Sequence, residues 1–205
     1  MGRQPNDAWP LRHGRCPSLL TMGVQATYDA YLETLRHEFP SFELRSKRQS
    51  RSQRLVDRFL RLITFGGNSS YLTSVVTTIG ETIYVPDGWE QWSALDRLLI
   101  LRHEAVHLRQ FRRYTLPGMA LVYLLLPLPF VFAGGRAWLE LEAYKETLTA
   151  TWELCGPDAA HDPALHERIV SRFTGSDYGW MWVWPTPIRR ALKSHLSDLE
   201  RKTRA

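Results

Sequence analysis

The sequence predicts a mainly helical α+β fold in one domain, with a small antiparallel sheet or hairpin before a long helix. Three observations carry this. Residues 93–114 and 136–154 place apolar side chains at helical spacing and end in stop signals. Residues 71–78 and 82–85 are rich in β-branched side chains, separated only by Ile79-Gly80-Glu81. A length of 205 residues supports one well-cored domain better than two.

Taken in order, residues 1–22 read as a flexible tail without the apolar core of a signal peptide, and 23–205 as a single domain. On this reading the protein is cytoplasmic. Residues 27–39 predict an amphipathic helix through Tyr28, Tyr31, Leu32 and Leu35, stopped by Pro40. A polar run, 43–53, leads into a basic amphipathic segment around Leu55, Phe59, Leu62 and Ile63. The hairpin follows and Pro86 closes it. Ser93-Ala-Leu-Asp96 fits a capping box and opens the strongest helix, to about Tyr114. A charge-free run occupies 114–135. The second long helix covers 136–154 and ends at Gly156-Pro157. A short helix near 165–173, an aromatic stretch at 178–185 and a final basic helix complete the chain.

The composition, 44% hydrophobic and 23% charged, excludes wholesale disorder. The formal net charge of +5 is concentrated in 45–61. A local basic patch is most simply a solvated face, so nucleic acid is disfavoured as a partner. The two cysteines, Cys16 and Cys155, form no Cys-x-x-Cys pair, which removes a cysteine zinc ribbon.

His103-Glu104-Ala105-Val106-His107 carries the chemistry. On a helix, residues four apart lie about 40° apart around the axis, so both imidazoles leave one face and reach one ion. Glu104 sits on the flank of that face, able to touch a metal-bound water without being a ligand. Zinc lowers the pKa of such a water towards ~7, and a carboxylate then takes its proton. Chance produces such a match in roughly one chain in a hundred of average composition. The competing explanation is a pair of structural histidines around a salt-bridged glutamate; the capped helical context, with Asp96, Leu99, Ile100, Gln110 and Tyr114 near the same face, argues against it.

A third ligand is needed, and position 113, where a downstream histidine would fall, is Arg113. Glu140 and Glu142 remain. Glu140 shares a helix face with Ala137, Tyr144, Thr147, Leu148 and Thr151, which looks inward; Glu142 shares its face with Lys145, Glu146 and Glu153, which looks wet. A lone inward carboxylate is costly unless paired or metal-bound, so Glu140 is the expected ligand.

These residues resemble the gluzincin superfamily of zinc metallopeptidases in a reduced form, over about 71–154. His103, Glu104 and His107 match its first motif. Glu140-Leu-Glu-Ala-Tyr144 is similar to its second, with Tyr144 where an aspartate is usual. The resemblance implies a zincin-like core and zinc-dependent hydrolysis of a protein or peptide substrate. His103, His107 and Glu140 then hold Zn2+, Glu104 activates water, and Tyr144 or Tyr114 steadies the oxyanion. Small SprT-like proteases are also similar, but their third histidine and zinc ribbon are absent. Two alternatives differ in class: a zinc amidohydrolase on a small substrate, and a membrane- or nucleic-acid-binding module with a structural metal site.

Four further signals weigh less. Residues 116–133 are long enough and apolar enough for a membrane span, but Pro117, Pro127 and Pro129 interrupt them. A single span would also separate His103 from Glu140. A buried wall is favoured over a peripheral membrane contact. Trp180, Trp182 and Trp184 alternate as a cover strand would. His161 and His166 are expected at the surface. Arg102, Arg109 and Arg113 lie opposite the histidines and suit solvent or carboxylate pairing.

Overall fold

Two antiparallel helices bring the histidine motif and the inward carboxylate face to face. The structure, a computed structural model, describes residues 21–47, 76–124, 133–175 and 184–204. Its elements are α1 (Thr21–Glu38), β1 (Glu43–Ser46), β2 (Thr77–Ile79), β3 (Thr82–Val85), a single 3₁₀ turn (Trp89–Gln91), α2 (Ala94–Leu124), α3 (Ala133–Cys155), α4 (Pro157–Ala160), α5 (Pro163–Thr174) and α6 (Pro185–Arg204). Helices hold most of the described residues, in accord with the predicted mainly helical α+β class.

Helix α1 starts before the predicted position 27, and Thr21 and Met22 belong to it rather than to a tail. Its buried side chains, Val24, Tyr28 and Leu35, repeat at helical spacing. Tyr28 and Leu35, with Phe39 just past the helix end, join Ile83, Val85, Trp89, Leu98, Leu101, Ala105 and Leu108 in one apolar cluster. Arg97 ties this side together. Its guanidinium lies 4.5 Å from the Tyr28 ring centroid and donates to Glu90 at 2.6 Å and Gln25 at 2.8 Å. The predicted tail lies otherwise outside the described residues, as do the basic segment 48–63, residues 125–132 of the apolar run, and Trp180 and Trp182.

The sheet corrects the sequence reading. Its order is β1-β3-β2, and only β2–β3 is antiparallel; β1 runs parallel to β3, with Glu43 opposite Thr82 and Ser46 opposite Val85. Residues 43–46 had the polarity of a loop. An edge strand pairs through its backbone, which side-chain periodicity does not report; only Phe42 and Leu44, packed against the first cluster, mark it. The β2–β3 turn falls at Gly80, whose φ of 61° suits glycine.

Ser93 opens α2 as predicted: its hydroxyl oxygen accepts the Asp96 N–H at 3.1 Å and its O–H donates to the Asp96 carboxylate at 2.6 Å. Helices α2 and α3 pack antiparallel, since Arg102 meets Glu146 and Glu153 while Tyr114 meets Trp138. On the far side of α3, Tyr144 and Leu148 join Leu165, Ile169 and Phe173 of α5 and Ile188, Leu192 and Leu196 of α6 in a second cluster. The α2–α3 seam therefore runs between two apolar cores. Asp162 caps α5 by accepting the Ala164 N–H at 2.8 Å. Among the described residues, no helix is long and apolar enough to cross a membrane.

The regular part of α2 ends at Tyr114, as the sequence predicts. Thr115 has φ 62° and ψ 165°, a backbone region that glycine alone occupies comfortably, and Pro117 follows. Thr115→Gly should relieve that strain and raise stability by about 1 kcal/mol, measured by denaturant unfolding. A lowered midpoint would show that Thr115 rests in an unstrained conformation.

Candidate metal centre

Helix α2 presents His103, Glu104 and His107 to the seam, and α3 presents Glu140. All four are buried, between 4% and 7% exposed. His103, His107 and Glu140 each offer one ligand atom, and these three atoms lie within 4.8 Å of one another. Each Nε2 stands 3.8 Å from Glu140 Oε2. That is too long for a hydrogen bond. Around a tetrahedral zinc with ligand distances near 2.0–2.2 Å, neighbouring donors stand ~3.4 Å apart, so the trio is slightly wider than a closed site. Glu142 is exposed, as its helical phase predicts.

The remaining ring nitrogens settle the direction of the lone pairs. Gln110 Oε1 faces His107 Nδ1 at 2.9 Å, and its Nε2 donates to the Leu139 carbonyl at 3.0 Å and to Glu142 at 2.9 Å. Thr147 Oγ1 lies 3.1 Å from His103 Nδ1 and donates its own proton to the Ala143 carbonyl at 3.2 Å. Both Nδ1 atoms thus meet acceptors and carry the ring proton, and both Nε2 lone pairs turn towards Glu140. Two lone pairs and a carboxylate converging in a buried seam could hold a metal ion.

Charge says the same. Burial disfavours the His107 cation, but the nearby Glu140 and Glu104 carboxylates outweigh it and raise its pKa above the ordinary 6.5. Burial pushes the Glu140 carboxyl up, yet His107 and His103 more than offset this and pull it down to about 2. Arg136, one turn before Glu140 on α3, adds a smaller effect of the same sign on Glu140.

Glu104, whose charge acts on His107, is anchored to the sheet. Its Oε2 accepts the hydroxyl of Thr78 on β2 at 2.6 Å, joining the motif helix to the sheet. Tyr144 is 2% exposed and packs edge-on against His103, ring centroids 4.8 Å apart, with Phe173 on its other side at 5.6 Å. Tyr114 stands further along α2, against Trp138. His161 and His166 lie apart: His161 pairs with Glu200 at 2.9 Å, and His166 donates to the Ala160 carbonyl at 2.8 Å. Arg102 pairs with Glu146 and Glu153, and Arg109 with Glu38 through two bonds of 2.7 Å.

Sequence reasoning missed Thr78 entirely and did not assign Gln110 and Thr147 their roles. Their signal was polarity on an inward face: Gln110 lies one turn beyond His107, and Thr147 two turns beyond Glu140. No protein-family model, curated protein or solved structure matches this chain.

The protein should take up about one Zn2+ per chain, and His103→Ala, His107→Ala or Glu140→Ala should abolish that stoichiometry, read by metal analysis after dialysis. Undiminished zinc in all three variants places the metal elsewhere.

The same charges set a pH dependence. A raised His107 pKa contributes stability to the metal-free fold that is complete below 6.5 and is lost as pH rises through the folded value. The lowered Glu140 pKa contributes stability present above 4.5 and lost as pH falls towards about 2. Metal binding needs the neutral imidazole. The gain in Tm on adding zinc should therefore grow as pH rises from about 6 to 8; a gain that shrinks over that range contradicts a histidine-held ion.

Proposed function

We propose that this chain is a zinc-dependent metallopeptidase. The observation that carries the reading is the convergence of the His103 and His107 Nε2 lone pairs on Glu140 with the Glu104 carboxylate beside them. The edge strand, motif helix and second helix follow in the order that a zincin-like core requires, which supports the same reading.

His103, His107 and Glu140 would hold the ion. When bound, zinc supplies a Lewis acid that acidifies a water and polarises a substrate carbonyl. Glu104 is the proton carrier. Thr78 occupies its Oε2 by donating to it at 2.6 Å, which fixes the carboxylate plane and leaves Oε1 to take a proton from water. The same carboxyl group then hands that proton to the departing amine, which leaves neutral. Burial of Glu104 keeps bulk water from competing for that proton. Tyr144 buttresses His103: its ring holds the imidazole in place from the side of the second core.

Zinc-loaded protein should cleave an unstructured polypeptide such as a denatured-protein or mixed fluorogenic-peptide substrate, and a chelator should stop it. Glu104→Gln should keep its zinc and lose roughly 10²- to 10⁴-fold in rate, because an amide cannot accept the proton. Full activity in Glu104→Gln removes Glu104 from the mechanism. A stoichiometric zinc protein that leaves every peptide intact removes the peptidase reading while sparing the metal site.

A further inference from the structure

Resting on that reading, we propose that Gln110 is a positioning residue that fixes His107 in its metal-binding tautomer, and that the exposed Glu142 sets the direction of the Gln110 amide. Gln110 is 3% exposed and touches His107, Leu139 and Glu142. A primary amide has two faces: a nitrogen that only donates and an oxygen that only accepts. The Leu139 carbonyl and the Glu142 carboxylate are both pure acceptors, so the nitrogen turns to them. The oxygen is left for His107 Nδ1, which must then carry the ring proton. The Nε2 lone pair is bare and faces Glu140.

The reversed amide would do the opposite. It would set oxygen against two oxygens and present N–H groups to Nδ1, moving the ring proton to Nε2, where it blocks the metal. The Leu139 carbonyl is backbone and constant. Glu142 is the member of the relay that sequence can change, and it reaches the metal site only through the amide. His103 has no such dependence, because Thr147 discharges its single proton onto the Ala143 carbonyl within its own helix.

The test uses Co2+ alone as the probe, with zinc affinity measured by chelator competition. Wild-type protein loaded with Co2+ should show two solvent-exchangeable, hyperfine-shifted imidazole N–H resonances, one from each histidine. In Gln110→Met the His107 resonance should exchange away while the His103 resonance stays, and zinc affinity should fall roughly 10- to 100-fold. Glu142→Lys, which offers the amide oxygen a cation, should produce the same selective loss from an exposed position that leaves the fold intact. Glu142→Gln, which still offers an accepting oxygen, should behave as wild type. If Glu142→Lys and Gln110→Met keep both resonances and an affinity within about twofold of wild type, the relay is wrong and the metal site stands. If wild-type protein shows neither resonance, the metal reading falls and the relay falls with it.

Discussion

Two imidazole lone pairs and a carboxylate, pointed at one another inside a protein, repel unless a positive charge lies among them. This constraint organises the α2–α3 seam. The Nε2 atoms of His103 and His107 each stand 3.8 Å from Glu140 Oε2, and all three residues are buried. A proton on an imidazole answers the demand in part, which is why His107 gains basicity despite its burial. A divalent cation answers it better, because it meets all three donors at once.

Holding such a cluster together before the ion arrives requires stiffness from elsewhere. The seam is clamped beyond the cluster by Arg102, which bridges from α2 to Glu146 and Glu153 of α3. On each flank lies an apolar core, one built from α1, β3 and α2, the other from α3, α5 and α6. Such cores contribute roughly 1.5–3 kcal/mol for each large side chain removed from water, enough to offset the several buried polar groups between them. Those polar groups are themselves satisfied: Thr78 donates to Glu104, Thr147 to Ala143, and Thr151 to the Thr147 carbonyl.

Much of this arrangement was legible in the sequence because helical phase is a strong code. The period of 3.6 residues places Glu140 inward and Glu142 outward without coordinates, and the capping box at Ser93 marks where the motif helix begins. Strand β1 was not legible, since pairing in parallel along an edge leaves only Phe42 and Leu44 as a trace. The hydrogen-bond partners of the histidines were half legible. Periodicity says which polar residues face inward, but not which atom of Gln110 faces His107. That depends on a carbonyl and a carboxylate roughly thirty residues later in the chain, and only tertiary structure brings them together.

The Nδ1 atoms of both histidines face neutral groups. The Tyr144 ring supports His103 by packing, and the neutral Thr147 hydroxyl faces its Nδ1. His107 is likewise served by an amide. A neutral acceptor leaves an imidazole less electron-rich than a carboxylate does, so an ion held there would retain more of its Lewis acidity. For such an ion, the loss in ligand strength would be met by the ionised Glu140 and by the rigidity of the two cores. Phe173 thereby reaches the site at second hand: it packs against Tyr144, which packs against His103, so helix α5 is linked to the histidine pair through a chain of ring contacts.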